Sequence, residues 1–267
     1  MPGRLRILQI SDSHLLAKPQ DVFLGIKPYD TLKAVINCVN ETIANLYPKL
    51  IVFTGDISQD DSRQSYQNAI KLLQHFTCPI VWTSGNHDDV KKASECLTVS
   101  PWQYQPEYSL DPWHLIILNS HWKNHVAGRL DSHELKILDH LLDTHKNQYI
   151  LIFIHHHIVP VGNHWLDQLN LQNAKDLFSI TDKYSNIKAI VSGHVHQEHN
   201  SSRHLASIIT TPATSFQFKP QQKNFALDTL MPGFRLLDLY EDGHFDTQVI
   251  RVKTRPEFIP DLTQKGY

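Results

Sequence analysis

Long apolar runs are missing from these 267 residues. No stretch approaches the ~20 residues that cross a bilayer, which argues against a transmembrane segment and a membrane partner. The opening, Met1-Pro2-Gly3-Arg4-Leu5-Arg6, runs into a strand without the apolar region and cleavage site of a secretory leader. Blocks of like charge are absent too: 25 Lys and Arg against 27 Asp and Glu leave a formal charge of -2. Such a chain offers no electrostatic footprint for nucleic acid or an anionic surface. Cysteine is scarce, and Cys38, Cys78 and Cys96 have no metal-knuckle spacing. An odd, unspaced set argues against a disulfide framework and fits a reducing, cytoplasmic setting. Linkers, repeats and low-complexity segments are also missing. Residues 1–254 therefore read as one domain, followed by an irregular C-terminal arm over 255–267.

What is plentiful is histidine, 18 residues, against a background of 41% hydrophobic residues that suffices for a sizeable core. Several histidines fall into five clusters with carboxylates and an amide. These are Asp12-Ser13-His14, Gly55-Asp56, Gly85-Asn86-His87-Asp88, His155-His156-His157 and Gly193-His194-Val195-His196. Each follows an apolar, strand-like run. Such groups are costly to bury unless something pairs with them, and a pair of divalent metal ions is the expected partner.

The runs are Ile7–Ile10, Leu50–Thr54, Pro79–Thr83, His114–Asn119, Tyr149–Ile154 and Ile187–Ser192. Between them, a helix is expected from Asp30 to Pro48, with Leu32, Val35, Ile36, Val39, Ile43 and Leu46 on one face. A polar helix is expected over about Ser62 to Phe76. A third is capped by Ser132 and carries Leu135, Leu138, Leu141 and Leu142. This strand–helix rhythm predicts an α/β fold with a largely parallel start. After residue 205 the strands 207–211, 234–239 and 247–252 follow without a long helix. Glu241-Asp242-Gly243 reads as a hairpin turn, and this end is expected to complete a second sheet. Ligands in open α/β sheets sit beyond the carboxyl ends of strands, where all five clusters fall, so they should converge on one rim.

Two divalent ions ~3.5–4 Å apart clamp a phosphoryl group and generate hydroxide at neutral pH. The site needs hard oxygen donors, neutral imidazoles and a carboxylate that can bridge the ions. Each cluster alone has a bland reading. Asp12 and Asp56 suit helix N-caps, and Asn86 suits a turn. Alternation puts His155 and His157 on one face and His156 on the other. Trp165, Phe216 and Phe218 read equally as an adenine-stacking pocket or as core.

In their order, the five clusters resemble the calcineurin-like metallophosphoesterase superfamily, whose pattern is D-x-H, G-D, G-N-H-D/E, a histidine motif and G-H-x-H. Ile7–Leu15, Thr54–Asp60, Trp165–Gln168, Gln217–Pro220, Asn224–Thr229 and Pro232–Arg235 are further similar to bacterial class III 3′,5′-cyclic-AMP phosphodiesterases. The resemblance implies two mixed β-sheets forming a sandwich flanked by helices, a four-layer αββα fold. It implies one ion at Asp12, His14 and His196 and a second at Asn86, His155 and His194, with Asp56 bridging. Both ions would be divalent or trivalent, iron or manganese by preference, with zinc, cobalt or magnesium also suited. A bridging hydroxide would attack phosphorus in line with the departing 3′ oxygen. His87 would protonate that oxygen, with Asp60 orienting it. His14, Asp56, Asn86, His87 and His196 would also meet the substrate phosphate, and His156 and His157 would lie behind the ligands or against substrate. The expected partner is a small phosphodiester, cyclic AMP, bound by a monomer or homodimer. The competing expectations are the same chemistry on another phosphoester and a non-catalytic scaffold.

Overall fold

The computed structural model describes residues 4–43 and 46–266. In chain order the elements are β1 (Arg4–Ile10), α1 (Pro28–Thr42), β2 (Leu50–Phe53), α2 (Arg63–Leu73), β3 (Ile80–Trp82) and α3 (Val90–Cys96). Next come β4 (Trp102–Gln103), β5 (Glu107–Leu110), β6 (Trp113–Leu118), α4 (Ser132–Thr144), β7 (Tyr149–Ile154), α5 (Ala174–Thr181) and β8 (Ile187–Ser192). The chain ends with β9 (His199–Arg203), β10 (Ala206–Thr210), β11 (Gln217–Phe218), β12 (Leu227–Asp228), β13 (Gly233–Tyr240) and β14 (Phe245–Arg251).

Two six-stranded mixed sheets result, in the orders β14-β13-β1-β2-β3-β4 and β5-β6-β7-β8-β10-β9. Strands β1 to β4 are parallel, as are β6, β7, β8 and β10. Alternation along each strand divides its apolar side chains between two layers. Ile7, Val52, Val81, Leu115, Phe153, Val191 and Leu237 meet between the sheets. On the outside, Leu8, Ile10, Ile51 and Phe53 of the first sheet pack with the apolar side of α1, including Leu32, Val35 and Val39. Ile116, Ile152 and Ile190 of the second sheet pack on Leu138 and Leu142 of α4 and Leu177 of α5. This is the expected four-layer sandwich. Trp113 fastens the two sheets, its indole N–H donating to the Tyr240 carbonyl at 2.7 Å across the interface.

Several boundaries differ from expectation. Helix α1 starts at Pro28 rather than Asp30, because proline is preorganised for the first helical turn and needs no N–H there. It ends at Thr42, with Leu46 in a bend beyond it, and the expected continuation through 44 and 45 lies outside the described residues. So do Met1-Pro2-Gly3 and position 267 of the arm. The cap of α4 is Asp131, not Ser132: its carboxylate accepts from the His133 and Glu134 N–H groups. The chain end does not build the second sheet as a block. Strand β13 adds antiparallel to β1 in the first sheet and β14 antiparallel to β13 at its edge, and only β9 and β10 extend the second. Glu241-Asp242-Gly243 does turn between β13 and β14, with Gly243 at φ +83°. Phe258, in the C-terminal segment, is buried against the α1 layer.

Candidate metal centre

All five clusters reach one rim. Asp12 and His14 leave β1, Asp56 leaves β2 and Asn86 leaves β3, while His155 leaves β7 and His194 and His196 leave β8. Five of these side chains sit on left-handed backbone: Asp12 (φ +56°), His14 (+47°), Asp56 (+51°), His194 (+66°) and His196 (+49°). Non-glycine residues adopt this region rarely, at a cost on the order of 1–3 kcal/mol each, and it persists only where surroundings enforce it. Here the loops lock one another. The Asp12 and His14 N–H groups donate to the Gly55 and Asp56 carbonyls, both at 3.0 Å. Both carboxylate oxygens of Asp12 accept the His194 N–H at 3.1 Å, joining the two sheets. Asp56 Oδ1 accepts the His87 N–H at 2.8 Å.

The imidazoles are oriented from behind. His14 Nδ1 donates to Gln59 Oε1 (2.6 Å), His155 Nδ1 to the Thr54 carbonyl (2.7 Å) and His196 Nδ1 to the Phe216 carbonyl (2.9 Å). An oxygen that can only accept places a proton on Nδ1, which leaves Nε2 aimed inward, as a lone pair wherever the ring is neutral. Those inward nitrogens face one another and other acceptors. His14 Nε2 faces His196 Nε2 at 3.1 Å, and His155 Nε2 faces Asn86 Oδ1 at 3.3 Å and Asp56 Oδ2 at 3.4 Å. His196 Nε2 lies 3.4 Å from Asp12 Oδ1. Asp56 Oδ2 and both ring nitrogens of His194 are buried with no hydrogen-bond partner.

Converging lone pairs and an orphaned buried carboxylate oxygen are unfavourable unless cations lie among them. Spacings near 3.3 Å suit the edges of a coordination shell with bonds of about 2.1 Å. The residues therefore fit the expected pair of ions. Asp12, His14 and His196 form one compact donor group, and Asp12, Asp56 and His155 form another that adjoins it. Without metal, burial pushes His14 down to about 3. Burial also opposes a charge on His155, but the Asp56 carboxylate overrides it and raises this imidazole to about 9.

The remaining sequence candidates separate. His156 has no lone pair to offer: Ser120 Oγ lies 2.7 Å from Nδ1, and Nε2 donates to the Val126 carbonyl at 3.0 Å. It braces the loop after β6. His157 is buried, with Nε2 3.8 Å from Asp167 Oδ1. Half-buried His87 stands beside His14, ring centroids 5.1 Å apart. The exposed Asp60 carboxylate accepts from the Ala17 and Ser62 N–H groups and the Ser58 hydroxyl, and so ties together the loops after β1 and β2. Phe216 and Phe218 are 1% and 0% exposed, which leaves no face for a nucleobase. Phe218 stacks on the His196 ring at 4.3 Å and steadies a donor, so core is the correct reading for both.

Sequence reasoning gave no individual role to three contributors. Asp88 accepts from the Gly85, Ile57 and Ser58 N–H groups and from the Tyr66 hydroxyl, and so shapes the Asn86 loop. Gln59 orients His14. His121 follows the carboxyl end of β6; both its ring nitrogens are buried without hydrogen-bond partners. Burial first, and His155 second, lowers its pKa. Its place past a parallel strand end was the available signal.

A four-layer αββα sandwich carrying this paired donor set on one rim defines a metal-dependent phosphoester hydrolase. The chain belongs to the calcineurin-like phosphoesterase family, whose pattern matches residues 5–198. It is 34% identical over 264 residues to a Haemophilus influenzae protein named 3′,5′-cyclic adenosine monophosphate phosphodiesterase CpdA, covering 98% of this chain and 95% of that protein. A Vibrio vulnificus protein of the same name is 37% identical over 265 residues, again covering 98% and 95%. Among solved structures, a dimetal phosphatase from Danio rerio shares the fold, with a TM-score of 0.64, 14% identity and coverage of 93% and 99%.

Proposed function

We propose that this phosphoesterase hydrolyses 3′,5′-cyclic AMP to AMP. The observation that carries the reading is similarity running almost end to end, at 34–37% identity, to proteins named for that activity. In this reading Asp12, His14 and His196 would hold one ion, Asn86, His155 and His194 would hold a second, and Asp56 would serve both. Mixed oxygen and nitrogen donors suit iron or manganese, and also zinc, cobalt or magnesium. When bound, the ions would neutralise phosphoryl charge and activate water at neutral pH.

The chain's own groups complete the reaction. Asn86 and Asp56 sit against the phosphate together with His14 and His196. His87, its backbone pinned by Asp56 Oδ1, donates a proton to the departing 3′ oxygen. Asp60 is a positioning residue that supports His87 through the loop after β2. Three free cysteines support the cytoplasm as the setting. Residues 1–254 act as one catalytic domain, and the arm that follows meets it through Phe258 and Asp261.

The test is a substrate panel on metal-reconstituted protein: 3′,5′-cyclic AMP, 2′,3′-cyclic AMP and bis(p-nitrophenyl) phosphate. The 3′,5′ nucleotide should show the highest kcat/KM. Turnover of the nitrophenyl diester without turnover of 3′,5′-cyclic AMP would assign the same centre to another phosphoester.

A further inference from the structure

The layer between the sheets is largely apolar, but it turns polar just before the rim. Gln9 of β1 and Arg235 of β13 are partners in the antiparallel register, and both are buried. Neutral oxygens hold the Arg235 guanidinium. Its Nε donates to Thr211 Oγ1 at 3.1 Å, Nη1 to Thr247 Oγ1 at 2.8 Å and Nη2 to the Thr210 carbonyl at 2.8 Å. Burial pulls its pKa down to about 10, so it stays cationic at neutral pH.

Arginine can only donate, and that sets the direction of the chain of bonds beyond it. Thr211 Oγ1 accepts from Arg235, so its own hydrogen goes to Gln9 Oε1 at 2.5 Å. Gln9 then turns its amide NH2 the other way, to Thr54 Oγ1 at 3.0 Å and toward the Ser192 carbonyl at 3.5 Å. The Ser192 carbonyl can only accept, which requires the same orientation. Thr54 Oγ1 passes its hydrogen to Ser11 Oγ at 2.8 Å, and Ser11 donates to the Thr54 carbonyl at 3.3 Å. That carbonyl also accepts the Nδ1 proton of His155.

The amide of Gln9 therefore spans the two sheets where their loops leave for the rim. Thr54 follows β2, orients His155 and leads into Gly55-Asp56. Ser192 ends β8 and leads into Gly193-His194. Replacing both partners of a buried polar contact by apolar groups of the same shape is often nearly neutral for stability, so stability alone does not account for this chain. We propose that Gln9 is a positioning residue for the second ion, held in one orientation by Arg235 through Thr211. The inference rests on the two-ion reading above, in which His155 and His194 share that ion.

The experiment titrates Mn2+ into metal-free, full-length protein by calorimetry, with bound metal counted by mass spectrometry. H155A identifies the step that belongs to the second ion. Q9M removes the amide at nearly constant size, T211V cuts the chain one bond earlier, and T211S keeps the hydroxyl. In Q9M and T211V the second-ion step should weaken about tenfold, the low end for a lost orienting partner. The other step should keep its affinity, the metal-free Tm should fall little, and T211S should bind as wild type does. Hydrolysis of bis(p-nitrophenyl) phosphate, a readout that does not need cyclic AMP to be the substrate, should fall at limiting Mn2+ and recover at saturation. Wild-type affinity at both steps in Q9M and T211V would overturn the role. An equal loss at both steps with a lowered metal-free Tm would also overturn it, leaving Gln9 a structural tie. One ion per wild-type chain would overturn the two-ion reading itself, and this role with it.

Discussion

Three imidazoles at the rim, His14, His155 and His196, each depend on an oxygen behind them. For His14 that oxygen belongs to Gln59, whose carbonyl fixes the Nδ1 proton and the direction of Nε2. Losing such an orienting partner typically weakens metal binding 10–100-fold. Q59L should therefore lose activity at limiting metal and regain most of it at saturating metal; equal activity at all metal concentrations would count against the role. His87 is different, because it is placed to move a proton rather than to hold an ion. H87A should keep its metal content and lose about 10²–10⁴-fold in kcat on 3′,5′-cyclic AMP, the usual range for a lost general acid. Bis(p-nitrophenyl) phosphate releases a phenolate that needs no proton, so its turnover should fall far less. Equal losses on both substrates would assign His87 to phosphate binding.

At the scale of elements, the centre exists because loops from two sheets approach without side chains in the way. Gly193, after β8, is the tightest point: a Cβ there would collide with the Ser11 hydroxyl and lie 2.7 Å from Asp12 Oδ2. G193A should keep its far-ultraviolet circular dichroism while losing metal stoichiometry and nearly all activity. Retention of both ions would show that the loops can part at no functional cost. The same elements explain what could be read from sequence. Strands β7 and β8 are buried on both faces over most of their length, so each is dominated by an apolar run, and its expected limits match those observed. The five clusters were legible because polar groups interrupt such runs. Short elements were not: β4 and β12 have two residues each, and α3 and α5 have seven and eight, too few for a periodic pattern to emerge. The pairing of β13 with β1 was hidden as well, since it joins residues over 200 positions apart and nothing local encodes the partner. His87 and Asp88 are neighbours in one motif, yet one faces the rim and the other supports the loop, a division only the fold reveals.

For the molecule as a whole, the rim is where the two sheets are joined by like-minded acceptors, so its ions should stabilise the fold and not merely the reaction. Asp12 and Asp56, both essentially without exposure, would otherwise be buried carboxylates among imidazole lone pairs. An ion held at 100 times its Kd contributes about 2.7 kcal/mol. For a chain of this size that is roughly 5–10 °C in Tm. The effect should depend on pH in a definite direction. In metal-free protein Asp56 raises His155 to about 9, above the ordinary 6.5. This raised imidazole lends the metal-free fold stability that is complete below 6.5 and is lost as pH climbs through about 9. An incoming ion must displace that same proton. Between pH 6.5 and 9 the metal therefore competes with one proton, and its affinity should rise up to tenfold per pH unit, flattening near 9. Measuring Tm with and without Mn2+ from pH 6.5 to 8.5 should show the metal-induced increment widening as pH rises. H155A should lose most of the increment and of its pH dependence. A constant increment across the window in wild-type protein would mean that His155 is already neutral before the ion arrives, and that Asp56 does not hold its proton.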